Sequence, residues 1–389
     1  MNDFRNKVLN YHKKNQGKLA VIPTQKIINQ IDLSMAYTPG VALPCQEIHK
    51  DNEKAYDYTI KGKMVAIITD GSAVLGLGNI GPMAALPVME GKAMLLHQFS
   101  GVQAFPLTID TQNPDKLIGT IQLLSPNFGA IMLEDISAPN CVYIESKLQE
   151  TLNIPVFHDD QHGTAIVVTA ALINALKVVK KPKEDIKVVV AGLGAAGSAI
   201  IKLLSKLGIK QIYGYDIQGV VSKEKYHQYN PVIKDLIDHS YLHFSKAEDL
   251  GDLLKEKDVF IGVSAKDILA PSMIKTMNSN AIIFAMANPE PEINPFEALK
   301  AGARIVGTGR SDYPNQINNV LVFPGLMKGV LKYRIKHITD DVKIMTAKAI
   351  ANLVPKNSLN DQNILPNIFD EAVVQAIVNS LSKIKKDQS

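Results

Sequence analysis

Tryptophan is missing from this chain and cysteine nearly so: among 389 residues only Cys45 and Cys141 occur. They lie far apart and outside any C-x-x-C spacing, which excludes a disulfide framework or zinc knuckle and leads us to expect a reducing, cytoplasmic compartment. An excess of one charge is missing too. Lysine and arginine (42) nearly balance aspartate and glutamate (38), and the net +4 is spread over scattered lysines. No nucleic acid is therefore expected as a partner, whereas a small anionic substrate is. Met1 to Lys7 has no apolar stretch like a signal peptide, and no later run reaches the roughly 18 to 20 apolar residues that span a bilayer, so no membrane association is expected. The length exceeds what one hydrophobic core usually supports and predicts two domains.

The first 60 residues read as helical and irregular. From Met64 short apolar runs (Met64 to Thr69, Ala104 to Ile109, Ala130 to Leu133) alternate with helix-period stretches such as Met83 to Phe99, the βαβ signature of a largely parallel sheet. A helix from about Gly163 to Val179, apolar on several faces, should be mostly buried. Strands follow at Ile186 to Ala191, Gln211 to Asp216, Val259 to Val263, Ala281 to Ala285 and Arg304 to Val306, with a helix at Ala195 to Leu207. This block reads as a doubly wound nucleotide-binding fold. The expected fold is thus α/β: an N-terminal α/β substrate and metal domain (1–162), a Rossmann NAD-binding domain (163–310), and C-terminal helices (311–389) returning to the first domain, with Lys385 to Ser389 a frayed tail.

G-x-G-x-x-G occurs twice, at Gly76 to Gly81 and Gly192 to Gly197. The second follows a strand, opens a helix and precedes a strand ending in Asp216, a full βαβ unit. There Gly192, Gly194, Ala195, Ala196 and Gly197 would let the backbone approach a pyrophosphate at a helix N-terminus, while Asp216 would accept hydrogen bonds from the ribose hydroxyls. A carboxylate there repels a 2′-phosphate and Ile217 and Gln218 supply no cation, so NAD is favoured, with NADP the alternative. The first copy has no strand leading into it and carries Pro82 at once after the motif. It reads as a tight loop, either a packed turn or a backbone-lined contact for an anion.

Two acid pairs end apolar runs: Glu134-Asp135 after Phe128 to Leu133, and Asp159-Asp160 after Ile154 to Phe157. Both stand at the carboxyl ends of expected strands, where ligands bind in open α/β sheets. Convergent oxygens without thiolates point to Mg²⁺ or Mn²⁺. Alternatively each pair caps the helix that follows. His158 and His162 are read as neighbours of the site rather than ligands.

With these residues in view the chain resembles the malic enzymes. The matching segments are Leu33 to Ala42 (LSMAYTPGVA), Glu90-Gly91-Lys92, Phe105-Pro106, Glu134-Asp135, Phe157 to Ala165 (FHDDQHGTA), Asn288-Pro289 and Gly309 to Asn319 (GRSDYPNQINN). The resemblance implies oxidation of L-malate by the nicotinamide, loss of CO₂ and protonation of enolpyruvate. It implies Lys92 as the base, its pKa lowered by burial and a nearby cation, Asp159 orienting Lys92, Tyr37 as the acid at C3, and Glu134, Asp135 and Asp160 as metal ligands. Asn288 and Asn319 are the implied amides for the substrate carboxylate, Asn288 also being a cofactor-binding residue beside the nicotinamide, and a homodimer is the implied assembly.

Two departures from the family pattern stand out. Ala73 occupies a place where larger members carry an arginine, so backbone N–H groups of the first glycine loop are candidates to replace that clamp. Lys266-Asp267 stands where small members commonly have Pro-Gly. Three other readings compete: an oxaloacetate decarboxylase on the same scaffold, a metal-independent amino-acid dehydrogenase, and a nucleotide-sensing module without catalysis.

Overall fold

Short β-branched and apolar runs pair into two largely parallel sheets, and the helices between them supply the covering layers. The computed structural model describes residues 2–74 and 76–384; the tail Lys385 to Ser389, expected to be frayed, lies outside the described residues. The N-terminal segment is helical, with α1 (Asn2–Asn15), α2 (Gln30–Ala36), α3 (Ala42–Lys50) and α4 (Ala55–Tyr58). Its apolar side chains are largely exposed, among them Val21, Ile22, Ile28 and Ile31.

The first sheet contains β1 (Met64–Thr69), β2 (Gln103–Thr108), β3 (Ala130–Leu133) and β4 (Val156–His158), linked by α5 (Pro82–Ser100), α6 (Pro114–Leu124) and α7 (Asn140–Thr151). All four strands are parallel in the order β2-β1-β3-β4. Parallel pairing with helical crossovers puts every carboxyl end on one edge. Glu134 follows β3 and Asp159 follows β4, and these strands are neighbours, so both acid pairs emerge side by side.

The chain then passes through a π-turn, Asp159–Gly163, into α8 (Thr164–Val179). Together these form a 21-residue helical stretch with the length and apolarity of a membrane span, longer than the sequence alone indicated, yet most of it is buried inside the fold. It is a core helix. The second sheet follows with β5 (Lys187–Ala191), α9 (Ala195–Leu207), β6 (Gln211–Asp216), β7 (Gly219–Val220), α10 (Pro231–Asp238), α11 (Leu250–Leu254), β8 (Val259–Gly262), α12 (Pro271–Ile274), β9 (Ile282–Ala285), α13 (Pro295–Lys300) and β10 (Ile305–Thr308). The order β10-β9-β8-β5-β6-β7 reverses between β5 and β8, the switch point where doubly wound sheets bind nucleotides. Only the two-residue β7 runs antiparallel.

Three C-terminal helices, α14 (Phe323–Tyr333), α15 (Asp340–Ala351) and α16 (Ala372–Leu381), return as expected: α14 packs on α5 and α16, and α15 on α8. The last helix starts at Ala372, although the helical pattern of the sequence begins at Ile368. Asn367 and Asp370 accept the backbone N–H groups of Phe369 and Ala372, and such side-chain turns hold the chain out of helix. One apolar core runs from β1, β3 and β4 through α8 to β5 and the C-terminal helices.

Candidate active site

Lys92 projects from α5 into the edge where β3 and β4 end. Its Nζ lies 2.5 Å from Asp159 Oδ2, 2.6 Å from Glu134 Oε1 and 4.7 Å from the centre of the Phe323 ring. Asp159 is fully buried, and the same Oδ2 accepts from Asn319 Nδ2 at 2.7 Å. Asp135, in the left-handed region at φ 53°, turns its backbone N–H onto Asp160 Oδ2 at 2.8 Å. Among the described residues no side chain caps α7 or α8, so the capping alternative falls.

Glu134, Asp135 and Asp160 each offer an oxygen within 4.8 Å of the others. Four carboxylates face one ammonium here, and Glu134 Oε2 and Asp159 Oδ1 are buried without a hydrogen-bond partner. Buried anionic oxygens in surplus are costly unless a cation joins them. The donor set, oxygen only, fits Mg²⁺ or Mn²⁺. Burial pushes the carboxyls of Glu134 and Asp159 up despite Lys92.

Lys92 departs from expectation. Burial alone would lower its pKa, but Asp159, Glu134 and Asp160 outweigh that and raise it, so without a cation the side chain is an ammonium rather than a neutral base. Neither histidine belongs to that oxygen cluster: His162 Nε2 meets Glu145 Oε2 at 2.8 Å, and His158, its pKa lowered by burial, lies 4.0 Å from Asp160. Burial pushes the Glu145 carboxyl up, but His162, with His158 and Lys343, outweighs it and holds the carboxyl below its ordinary range.

The dinucleotide loop has the expected form. A side chain on Gly192 would strike the Val263 carbonyl, and one on Gly197 would overlap the Gly192 carbonyl, whereas nothing stands within 4 Å of the position a Cβ would take on Gly194. Ala195 and Ala196 begin α9, and no side chain caps it, so its first N–H groups face an open cradle suited to a pyrophosphate. Asp216 Oδ2 accepts from Leu193 N at 2.8 Å, which sets the carboxylate against the same loop. A cation absent from the adjoining sequence is nonetheless close in space: Lys225 Nζ reaches the Gln218 carbonyl at 3.3 Å.

The first glycine loop is a tight turn whose residues Gly76 to Asn79 are exposed rather than packed. The N–H groups of Val74, Leu77, Gly78, Ile80 and Gly81 are all bonded within the loop or to Gly71, so none of these can stand in for the arginine missing at Ala73. Ala73 itself donates its N–H to the Asp135 carbonyl at 3.0 Å. At the second departure Asp267 takes a φ of 58°, the conformation a glycine would supply, and Lys266 pairs with Glu290 at 3.1 Å.

Asn288 is exposed just after β9. Tyr37 is 66% exposed, and among the described residues no hydrogen bond, ion pair or ring contact joins it to the Lys92 cluster. Two acids escaped the sequence reading. Glu292, fully buried, accepts from Ser264 N at 2.9 Å and Ala287 N at 3.0 Å, tying the loop after β8 to the one carrying Asn288. Glu145 shares the buried face of α7 with Cys141, Ile144 and Leu148, and an acid on an apolar stripe is the signal that marks it.

Comparison with known proteins agrees with this geometry. The family profile described as malic enzyme, N-terminal domain, matches residues 16–149, and that described as malic enzyme, NAD binding domain, matches residues 161–383. The chain is 51% identical over 380 residues to a bifunctional malic/malolactic enzyme of Bacillus subtilis, covering 98% of this chain and 92% of that protein. It is 48% identical over 365 residues to an NAD-dependent malic enzyme of Geobacillus stearothermophilus, covering 93% and 75%. Among solved structures, the malic enzyme from Pyrococcus horikoshii superposes with a TM-score of 0.93 at 44% identity (99% of this chain, 91% of that one). The NAD-dependent malic enzyme from Thermotoga maritima gives 0.91 at 43% (96% and 98%). Profiles spanning both sheets, and relatives this similar over nearly the whole length, establish that the chain belongs to the malic enzyme family.

Proposed function

We propose that this protein oxidises L-malate and decarboxylates the resulting oxaloacetate to pyruvate and CO₂, with NAD as the preferred electron acceptor and Mn²⁺ or Mg²⁺ as the resident cation. The observation that carries this reading is the cluster of four carboxylates at Lys92, with Glu134, Asp135 and Asp159 buried and Asp160 partly so, beside an open dinucleotide loop. When bound, the nicotinamide accepts the hydride and the cation supplies Lewis acidity at the C2 oxygen. Glu134, Asp135 and Asp160 would hold that cation. Lys92 takes the proton of the C2 hydroxyl, which requires the neutral amine. The arrangement is suited to this switch: Glu134 is both a partner that keeps Lys92 protonated and a cation ligand, and a nearby divalent charge disfavours an ammonium. Asp159, tied to Asn319, keeps the amine aimed. Tyr37 would protonate C3, and Asn288 would bind the substrate carboxylate with Asn319.

NAD preference rests on the Asp216 carboxylate, which is bonded to the glycine loop at Leu193 N, whereas Lys225 is bonded to the Gln218 carbonyl. A homodimer is supported by the N-terminal segment, where Ile28 is 82% and Met35 66% exposed near Tyr37 in the sequence; exposed apolar side chains clustered in one segment suit a surface covered by a partner. A cytoplasmic location is supported by the free state of both cysteines. Initial rates with malate, crossing NAD against NADP and Mn²⁺ against EDTA and following pyruvate, lactate and oxaloacetate, test the reading. Metal-dependent NADH formation is expected. Oxaloacetate consumption far outrunning malate oxidation would turn the assignment toward a decarboxylase, and turnover undiminished by EDTA would remove its basis. Light scattering tests the dimer, and mixing Tyr37→Phe with Lys92→Ala protein tests whether one site draws on two subunits.

A further inference from the structure

The turn that carries Asp159 and Asp160 has a second set of contacts that the proposed chemistry leaves unused. Glu145, 4% exposed, extends from α7 and accepts three hydrogen bonds: from His158 N at 2.9 Å, from Gln161 Nε2 at 3.1 Å and from His162 Nε2 at 2.8 Å. These donors bracket the two aspartates on both sides. The position lies on the buried stripe of α7, where a leucine would fill the core without desolvating a charge, so packing alone does not account for a carboxylate.

The turn itself supplies the reason. Asp159–Gly163 is a π-turn, a wide and poorly bonded form of helix that recurs at functional sites. A Cβ at Gly163 would run into the Asp159 carboxylate. Beside the turn lies a cavity of about 660 Å³, lined by Glu145, Gln161 and His162 together with Ser198, Lys202 and Lys343. Close packing does not brace the turn from that side; the hydrogen bonds to Glu145 do.

We propose that Glu145 is a positioning residue for the cation site, fixing the angle at which Asp159 and Asp160 leave the turn. The inference rests on the reading of Glu134, Asp135 and Asp160 as ligands. Groups that orient metal ligands typically contribute tenfold to a hundredfold in metal affinity. Mn²⁺ is titrated into the full chain, with free ion measured by electron paramagnetic resonance, and NADH binding is followed by its fluorescence without metal. Asp160→Asn should abolish tight Mn²⁺ binding. Glu145→Ala should weaken it about tenfold to hundredfold, and Glu145→Gln less, because its amide oxygen still accepts one donor; NADH affinity stays as in wild type for both. If Asp160→Asn binds Mn²⁺ as wild type does, the metal reading itself fails. If Asp160→Asn loses the ion while Glu145→Ala keeps wild-type affinity, positioning by Glu145 is overturned. Positioning is likewise overturned if Glu145→Ala loses both ligands while Glu145→Gln matches wild type, because the defect is then one of folding.

Discussion

Replacing Lys92 by alanine removes the one cation among four carboxylates, and the structure sets the size of the effect. With its Nζ at 2.5 Å from Asp159 and 2.6 Å from Glu134, each attraction is about 6 kcal/mol at an effective dielectric of 20. Desolvation of the buried ions offsets much of this, and removing one partner of such a cluster typically costs about 3–5 kcal/mol. The metal-free variant should therefore melt about 4–6 °C lower. The loss must depend on pH. Burial holds the Glu134 and Asp159 carboxyls above their ordinary range even beside Lys92; without it they rise further. A raised carboxyl stabilises the fold below its unfolded pKa, and that contribution disappears as pH climbs through the folded one. The deficit should thus be largest near pH 8 and shrink toward pH 5. Mn²⁺ supplies the missing charge, so it should raise the variant's melting temperature more than that of wild type, while malate oxidation falls about 10²- to 10⁴-fold, as for a lost general base. Melting curves at the two pH values, with and without Mn²⁺, measure each quantity. Equal melting temperatures at pH 8, or an equal response to Mn²⁺, would refute the idea that lysine and cation share these carboxylates.

Gly194→Val meets no protein atom at its Cβ, so the melting temperature should stay close to wild type while NADH affinity, read by fluorescence, drops at least tenfold. Glu292→Gln sets an amide against N–H donors at Ser264 or Ala287, which should cost about 1–3 kcal/mol of stability and raise KM for NAD more than KM for malate in steady-state assays. Asp216→Ser, which leaves Lys225 in place, should move the ratio of kcat/KM for NADP over NAD upward by tenfold or more; an unchanged ratio would mean that Asp216 does not select the cofactor.

Much of this arrangement can be read from residue order. Apolar runs of four to six residues bounded by glycine or paired acids locate β1, β3 and β5 within a residue of their observed limits, because burial on both faces leaves no choice of residue type. Glu134-Asp135 and Asp159-Asp160 stand out because they end such runs. What residue order leaves open are properties that arise only when distant segments meet. The protonation of Lys92 depends on Asp159, Glu134 and Asp160, none of them near it in the chain. Five N–H groups in the first glycine loop are consumed by its own fold, which its spelling does not distinguish from an open anion cradle. Lys225 returns to the ribose edge through a turn, and Glu292 bridges loops after two different strands.

The two halves of the site are coupled more tightly than a two-domain description implies. The π-turn that carries Asp159 and Asp160 is continuous with α8, and α8 leads directly to β5 and the glycine loop. Ala195, the first residue of α9, packs against the apolar cluster that includes Leu133 and Ile136 beside the acid pair. The cofactor loop and the metal edge therefore share a wall of close-packed side chains, and such interiors transmit displacement rather than absorb it. A hydride step needs its reacting atoms aligned to within about an ångström, and a misplacement of that size costs about a hundredfold in rate. The buried acids that touch neither substrate nor cofactor, Glu145 behind the turn and Glu292 between the nucleotide loops, sit where they can set that alignment. Their desolvation cost is offset only if the geometry they impose is worth more than the leucines that could replace them.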